Sequence, residues 1–232
     1  MILTATRLRS VAALLIAVFM VSACGQLPTY RYEMSLEVET PESLRTGSSV
    51  IEVRTSKGSG FPGPEAGGIG TSVEGEAVMI DLGSRGKLFA LLYSPQNRDY
   101  AAGIAPSVLL PVLIDRRGTA AAWGNNLRAL KKVRGSAALN LHQYPLLVRF
   151  RDIRDPRTVV RVLPNDLASH FGPGVRLRGI NIQISEDPIT QGIASHLPWW
   201  EHFRSTQFDG DPLVRSKELA NNLNRLAFKQ EH

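Results

Sequence analysis

Residues 30–40 read YRYEMSLEVET. Tyr30, Tyr32, Met34, Leu36 and Val38 take alternate positions, with Arg31, Glu33, Glu37 and Glu39 between them. Side chains along a strand point to opposite faces with a period of two. The stretch therefore predicts a strand with one apolar and one wet face, the pattern of antiparallel sheets. PESLRTG (41–47) reads as a turn, and Ile51, Val53 and Thr55 then carry a second strand. Neighbours this close in sequence most often pair as a hairpin.

Working outward, GEAVMIDLG (75–83) and GKLFALLY (86–93) predict a second strand pair across a short GSR turn. The latter is apolar on both faces and belongs in the middle of a sheet. PLLVRFRDI (145–153) places Leu146, Val148 and Phe150 on one face, and RTVVRVL (157–163) is a further strand. In VRLRGINIQIS (175–185), Val175 and Leu177 share a phase, but Ile180, Ile182 and Ile184 are one residue out. A bulge at Arg178–Gly179 would absorb the slip and keep both halves facing the core.

Helical signals are fewer. Residues 99–114 are apolar, but Pro106 and Pro111 argue for two short segments rather than one helix. AAWGNNLRALKKVR (121–134) has Trp123, Leu127 and Leu130 at helical spacing, which predicts a short basic amphipathic helix. PNDLASHFGPG (164–174) is a turn or two of helix stopped by Gly172 and Pro173. SKELANNLNRLAFK (216–229) aligns Leu219, Leu223 and Leu226 as a C-terminal helix capped by Ser216. About seven strands in runs, with two to four helices, predict an α+β fold built on an antiparallel sheet.

The N-terminus has a different logic. MILTATRLRS (1–10) carries Arg7 and Arg9 and no acid, VAALLIAVFMV (11–21) is unbroken apolar, and the small Ser22 and Ala23 follow. A basic region, a short apolar region and a small-residue cleavage site describe a secretory signal. The apolar run is too short for a spanning helix, which needs about 20 residues. Val21 and Ala23 would suit ordinary signal cleavage, leaving Cys24 as a plain first residue. Alternatively, VSAC (21–24) resembles the lipobox of bacterial lipoproteins. That resemblance implies a signal over residues 1–23 and a diacylglyceryl thioether on Cys24. It also implies acylation of the new amine by a chain such as palmitate. An unpaired thiol in a secreted protein is an oxidation liability, and a thioether removes it. Gly25 rather than Asp after the cysteine favours the outer over the inner membrane in that family. Residues 24–29 would be the lipid-attached tether and 30–232 one domain facing the periplasm.

The remaining body resembles a group of bacterial envelope proteins without assigned activity. The resemblance runs through YRYEMSLEVETPESLRTGSSVIEV and DPRTVVRVLPNDLASHFGPGVRLRGINIQI and implies a single folded unit.

Composition bounds the chemistry. Loss of Arg7 and Arg9 lowers the formal charge from +6 to +4, too little to demand nucleic acid. With Cys24 as the only cysteine, neither a disulfide framework nor a cysteine-based zinc site can form. There is no G-x-S-x-G elbow, Walker loop or H-E-x-x-H. The glycine-rich KGSGFPGPEAGGIG (57–70) reads as a mobile surface loop. Its literal G-x-G-x-x-G (Gly58, Gly60, Gly63) lacks the helix a dinucleotide needs, and Pro62 and Pro64 interrupt it. No cofactor is expected.

Two candidate sites remain. HLPWWEHFRSTQFDGD (196–211) offers His196, Glu201, His202, Asp209 and Asp211, donor types zinc accepts, though the histidines are six apart and Pro198 intervenes. Trp199 and Trp200 in that stretch suit a core, an interface or a membrane surface; core packing is expected for at least one. The second site is the cationic face Arg128, Lys131, Lys132 and Arg134, which a short tether would hold near anionic headgroups. The sequence thus predicts a lipid-anchored, non-catalytic binding or assembly protein whose partners are the membrane and another envelope protein. Its rivals are a periplasm-facing hydrolase using the histidines, and a small-ligand binder with residues 57–70 as a lid.

Overall fold

The computed structural model describes residues 27–57, 69–110, 120–203, 208 and 219–231. Among them, ten strands form two antiparallel sheets, accompanied by three α-helices, so the fold is α+β. The larger sheet contains β1 (Tyr30–Glu39), β2 (Leu44–Lys57), β3 (Ile69–Glu76), β6 (Ser136–Ala138), β9 (Arg176–Ser185) and β10 (Lys229–Gln230), in the order β10-β3-β2-β1-β9-β6. The smaller contains β4 (Val78–Asp81), β5 (Lys87–Ala90), β7 (Leu147–Phe150) and β8 (Val159–Arg161), in the order β4-β5-β7-β8.

β1 is the axis of the large sheet. Its burial alternates along its whole length, with Tyr30, Tyr32, Met34, Leu36 and Val38 buried. β2 pairs with all of it. The hairpin turn is tighter than 41–47: Thr40 Oγ1 accepts from the Ser43 N–H at 3.1 Å and donates to the Ser43 carbonyl at 2.8 Å. Leu44 to Gly47 therefore already belong to β2. On the other flank of β1, the β9 register slips between Glu37 and Val38, which face Gly179 and Leu177 and leave Arg178 as the extra residue. The expected bulge is there, and Val175, Ile180 and Ile182 are all buried.

Three strands exceed the expected seven because tertiary pairing makes them. β3 is polar and glycine-bearing and forms on β2, so Ile69 and Gly70 lie in a strand rather than in the glycine-rich loop. Residues 58–68, including Gly58, Gly60 and Gly63, lie outside the described residues. β6 and β10 have three and two residues and no periodicity to read.

The small sheet is buried on both faces. Val78, Ile80, Leu88, Ala90, Leu147 and Val162 join the core formed with the large sheet and the helices. Phe89, Leu91, Leu146, Val148, Phe150 and Val159 join a second core, covered by Trp199, Trp200, Phe208, Leu223 and Phe228. β5 is accordingly an inner strand, as its two apolar faces predicted.

Two helical expectations need correction. α1 (Tyr100–Leu109) runs through Pro106 without the break expected there; it ends before Pro111, which lies outside the described residues. Proline offers no N–H to the carbonyl four residues back, here that of Ala102. Tyr30 Oη donates to that carbonyl at 3.0 Å, and Tyr32 Oη donates to Ala101 O at 2.8 Å. Tyr30 of β1 thus supplies the donor that Pro106 lacks. At the C-terminus, the described part of 216–229 is not an α-helix but two 3₁₀ turns, Leu219–Asn222 and Arg225–Ala227, followed by β10. Asn222 and Asn224 are poor helix formers. The Asn224 side chain accepts from the Leu226 N–H and starts a new turn. Leu223 is buried while Leu226 is 62% exposed, so the expected stripe is broken. Ser216 lies outside the described residues. α3 (Leu167–Phe171) falls where predicted; α2 (Ala120–Leu130) ends short of the expected residue 134, so Lys131, Lys132 and Arg134 follow it rather than lie on it.

Candidate functional site

α2 packs Leu127 and Leu130 fully into the first core and rests Trp123 against it. Its opposite side and the turn after it present Arg128, Lys131, Lys132 and Arg134, all exposed. Arg128 Nη2 donates to Asn125 Oδ1 at 2.8 Å, and Arg134 Nη1 donates to the carbonyls of Lys131 and Val133 at 3.1 Å. Among the described residues none of the four has a carboxylate within ion-pairing distance. Their charges face solvent.

A glycine inside a helix costs roughly 1 kcal/mol relative to alanine, yet Gly124 sits in the middle of α2. The reason is Leu27. A methyl group on Gly124 would lie 3.1 Å from Leu27 Cδ2. Leu27 is 9% exposed and belongs to the first core. Thr29 and Tyr30 then line a cleft together with Lys131. The first described residues therefore run alongside α2 towards its cationic end. The tether, expected to reach residue 29, is folded from Leu27 onward. Cys24 itself lies outside the described residues. Neither Leu27 nor Gly124 stood out in the sequence, although an apolar residue in a tether and a glycine in a helical pattern are the signals that mark such a seat.

The cleft beside Lys131 also contains carboxylates. Glu52 is held by Arg31 Nε at 2.7 Å and Arg54 Nε at 2.8 Å. Burial alone would raise its pKa, but the hydrogen bonds from Arg54 and Arg31 outweigh it and hold the carboxyl below its ordinary range. Glu186 is exposed at the same cleft.

The second candidate does not assemble. His196 and His202 end two separate 3₁₀ turns, Ile193–His196 and Trp200–His202, and both are exposed, as is Glu201. Asp209 and Asp211 lie outside the described residues. Among the described residues no three His, Cys, Asp or Glu side chains stand together as a metal-ion site. The aromatics of this segment are structural: Trp199 and Trp200 are 3% and 5% exposed, and Trp199 meets Phe208 and Phe150 at centroid distances of 4.8 and 5.6 Å. Both tryptophans are therefore core residues in this fold, and their membrane-surface reading is withdrawn.

A buried ion pair closes the C-terminus onto the sheets. Glu76 is 1% exposed; its Oε2 accepts from the Ile193 N–H at 2.7 Å and its Oε1 lies 3.2 Å from Lys229 Nζ. These contacts tie β3, β10 and the turn under the second core together, which is a structural role.

No family model, curated protein or solved structure matches the chain.

Proposed function

We propose that this is a lipid-anchored protein of the bacterial cell envelope. Cys24 carries the lipid, and the α+β body acts by binding another envelope component rather than by catalysis. The observation that carries the reading is VSAC at the end of the apolar run, three residues before Leu27. The chain's single cysteine stands where a lipobox needs it. The seat of Leu27 on α2 supports the same reading, because it gives the anchor a defined point of departure from the body.

The anchor works by hydrophobic transfer at about 0.8 kcal/mol per buried methylene, so one acyl chain holds marginally and two hold stably. Three chains on Cys24 make release negligible. The outer membrane is favoured by Gly25, and the body then faces the periplasm. Labelled palmitate tests the anchor: the wild type incorporates it and Cys24→Ser does not. Absence of label in the wild type overturns the reading. Crosslinking in native membranes tests the binding role, with a discrete joined envelope protein expected.

A further inference from the structure

We infer that the exposed face of α2 and the turn after it, with Arg128, Lys131, Lys132 and Arg134, lies on the anionic headgroup layer of the membrane that holds Cys24. This rests on the proposed acylation of Cys24. The argument begins with reach. Two residues, Gly25 and Gln26, separate Cys24 from Leu27, so their Cα atoms are no more than about 11 Å apart at full extension. α2, with 11 residues, is roughly 16 Å long. With the Leu27 side chain and its contact on Gly124 added, the attachment point stays within about 20 Å of Gly124, whichever way the linker runs. A body pinned that closely has one side available to the bilayer, the side on which residues 27–30 run along α2.

Charge makes that side fit one occupant. Four cations fall within seven consecutive residues, 128–134, and none has a carboxylate partner among the described residues. Of the carboxylates at the adjoining cleft, Glu52 is taken by Arg31 and Arg54, which leaves Glu186 against four positive groups. Lysine ammonium and arginine guanidinium groups donate to phosphate oxygens, and cations near an anionic leaflet gain from its surface potential within a Debye length. The tether keeps the patch near the leaflet, and docking brings it within that distance. The lipid thereby fixes the orientation of the body as well as its location.

The test uses purified acylated protein in phosphatidylcholine vesicles with and without phosphatidylglycerol. With the Cys24 sulfur held as a thioether, Ala129→Cys and Ser195→Cys each offer one thiol for a fluorophore. The first lies on the exposed side of α2, the second on the turn over the second core. A headgroup-attached quencher should quench the probe at 129 and spare that at 195. The contrast should grow with phosphatidylglycerol and fall with salt. Lys131→Gln, Lys132→Gln and Arg134→Gln combined should lower the docked-to-undocked ratio about a hundredfold at low ionic strength. Equal quenching at the two positions, or quenching at 129 that ignores lipid charge, overturns the inference while the anchor stands. Protein that fails to float with either vesicle removes the anchor, and the inference falls with it.

Discussion

At Gly47 the two sheets approach each other closely. A Cβ there would stand 2.4 Å from the Met79 carbonyl oxygen and 2.7 Å from Ile80 Cγ1, so β2 can cross β4 only if residue 47 has no side chain. Gly47→Ala should destabilise the fold by about 1–3 kcal/mol, read as a lower urea midpoint; an unchanged midpoint contradicts the crossing. Glu52 gives a prediction in pH. Its folded pKa is held below its unfolded value of about 4.5. Such a carboxylate contributes fully above the unfolded value, and the contribution is lost as pH falls through the folded value. Glu52→Gln should therefore cost about 1–2 kcal/mol at neutral pH, allowing for the exposure of both arginines, and the gap to wild type should close in acid. A gap constant down to pH values near 2 contradicts the assignment. Gly47 and Gly124 were illegible as packing residues, because the reason for each is a side chain or carbonyl remote in sequence.

At the scale of elements, β1, β2, β7 and β9 were legible because alternation is a local signal, and β4, β5 and β8 as short apolar runs. The bulge was legible from a phase slip of a single residue. It carries a sharp test. Deleting Arg178 brings Leu177 and Ile180 into ordinary alternation, so it should cost no more than about 1 kcal/mol. Deleting Asn181 sets Ile180 directly beside Ile182 and off its phase, so one of these two buried residues must leave the core, and this should cost several times as much. Equal costs in thermal unfolding contradict the register. α1 was misread because a proline break was weighed without its remedy, a hydroxyl 72 residues in sequence from the Ala102 carbonyl it serves. Tyr30→Phe should cost about 1 kcal/mol. In a Pro106→Ala background, where residue 106 supplies its own N–H, the penalty should shrink. A double-mutant cycle measures the coupling, and strict additivity contradicts it. The C-terminal helix failed for the opposite reason: local asparagine chemistry outweighed an apolar spacing that looked helical.

Across the whole molecule, the small sheet is the central layer, with one core towards the large sheet and another under the C-terminal aromatics. Trp199→Ala should therefore cost about 3–5 kcal/mol, as a large buried aromatic does, and a loss within 1 kcal/mol of zero contradicts this layering. The class of fold was readable from strands that come in runs, but the two-sheet division was not, since β3 and β4 are separated by Ala77 alone. The candidate site divided likewise. The cationic residues were visible as a charge run, whereas their place beside the chain's point of departure depends on Leu27 folding back onto α2. The histidine segment offered suitable donors in sequence, and the fold spends that segment on covering a core. The central claim concerns Cys24, and intact mass analysis of the protein purified from membranes tests it most directly. The account predicts a chain beginning at residue 24 whose excess mass matches a diacylglyceryl thioether and an amide-linked acyl group. A free thiol at Cys24, or a chain still beginning at Met1, would contradict it.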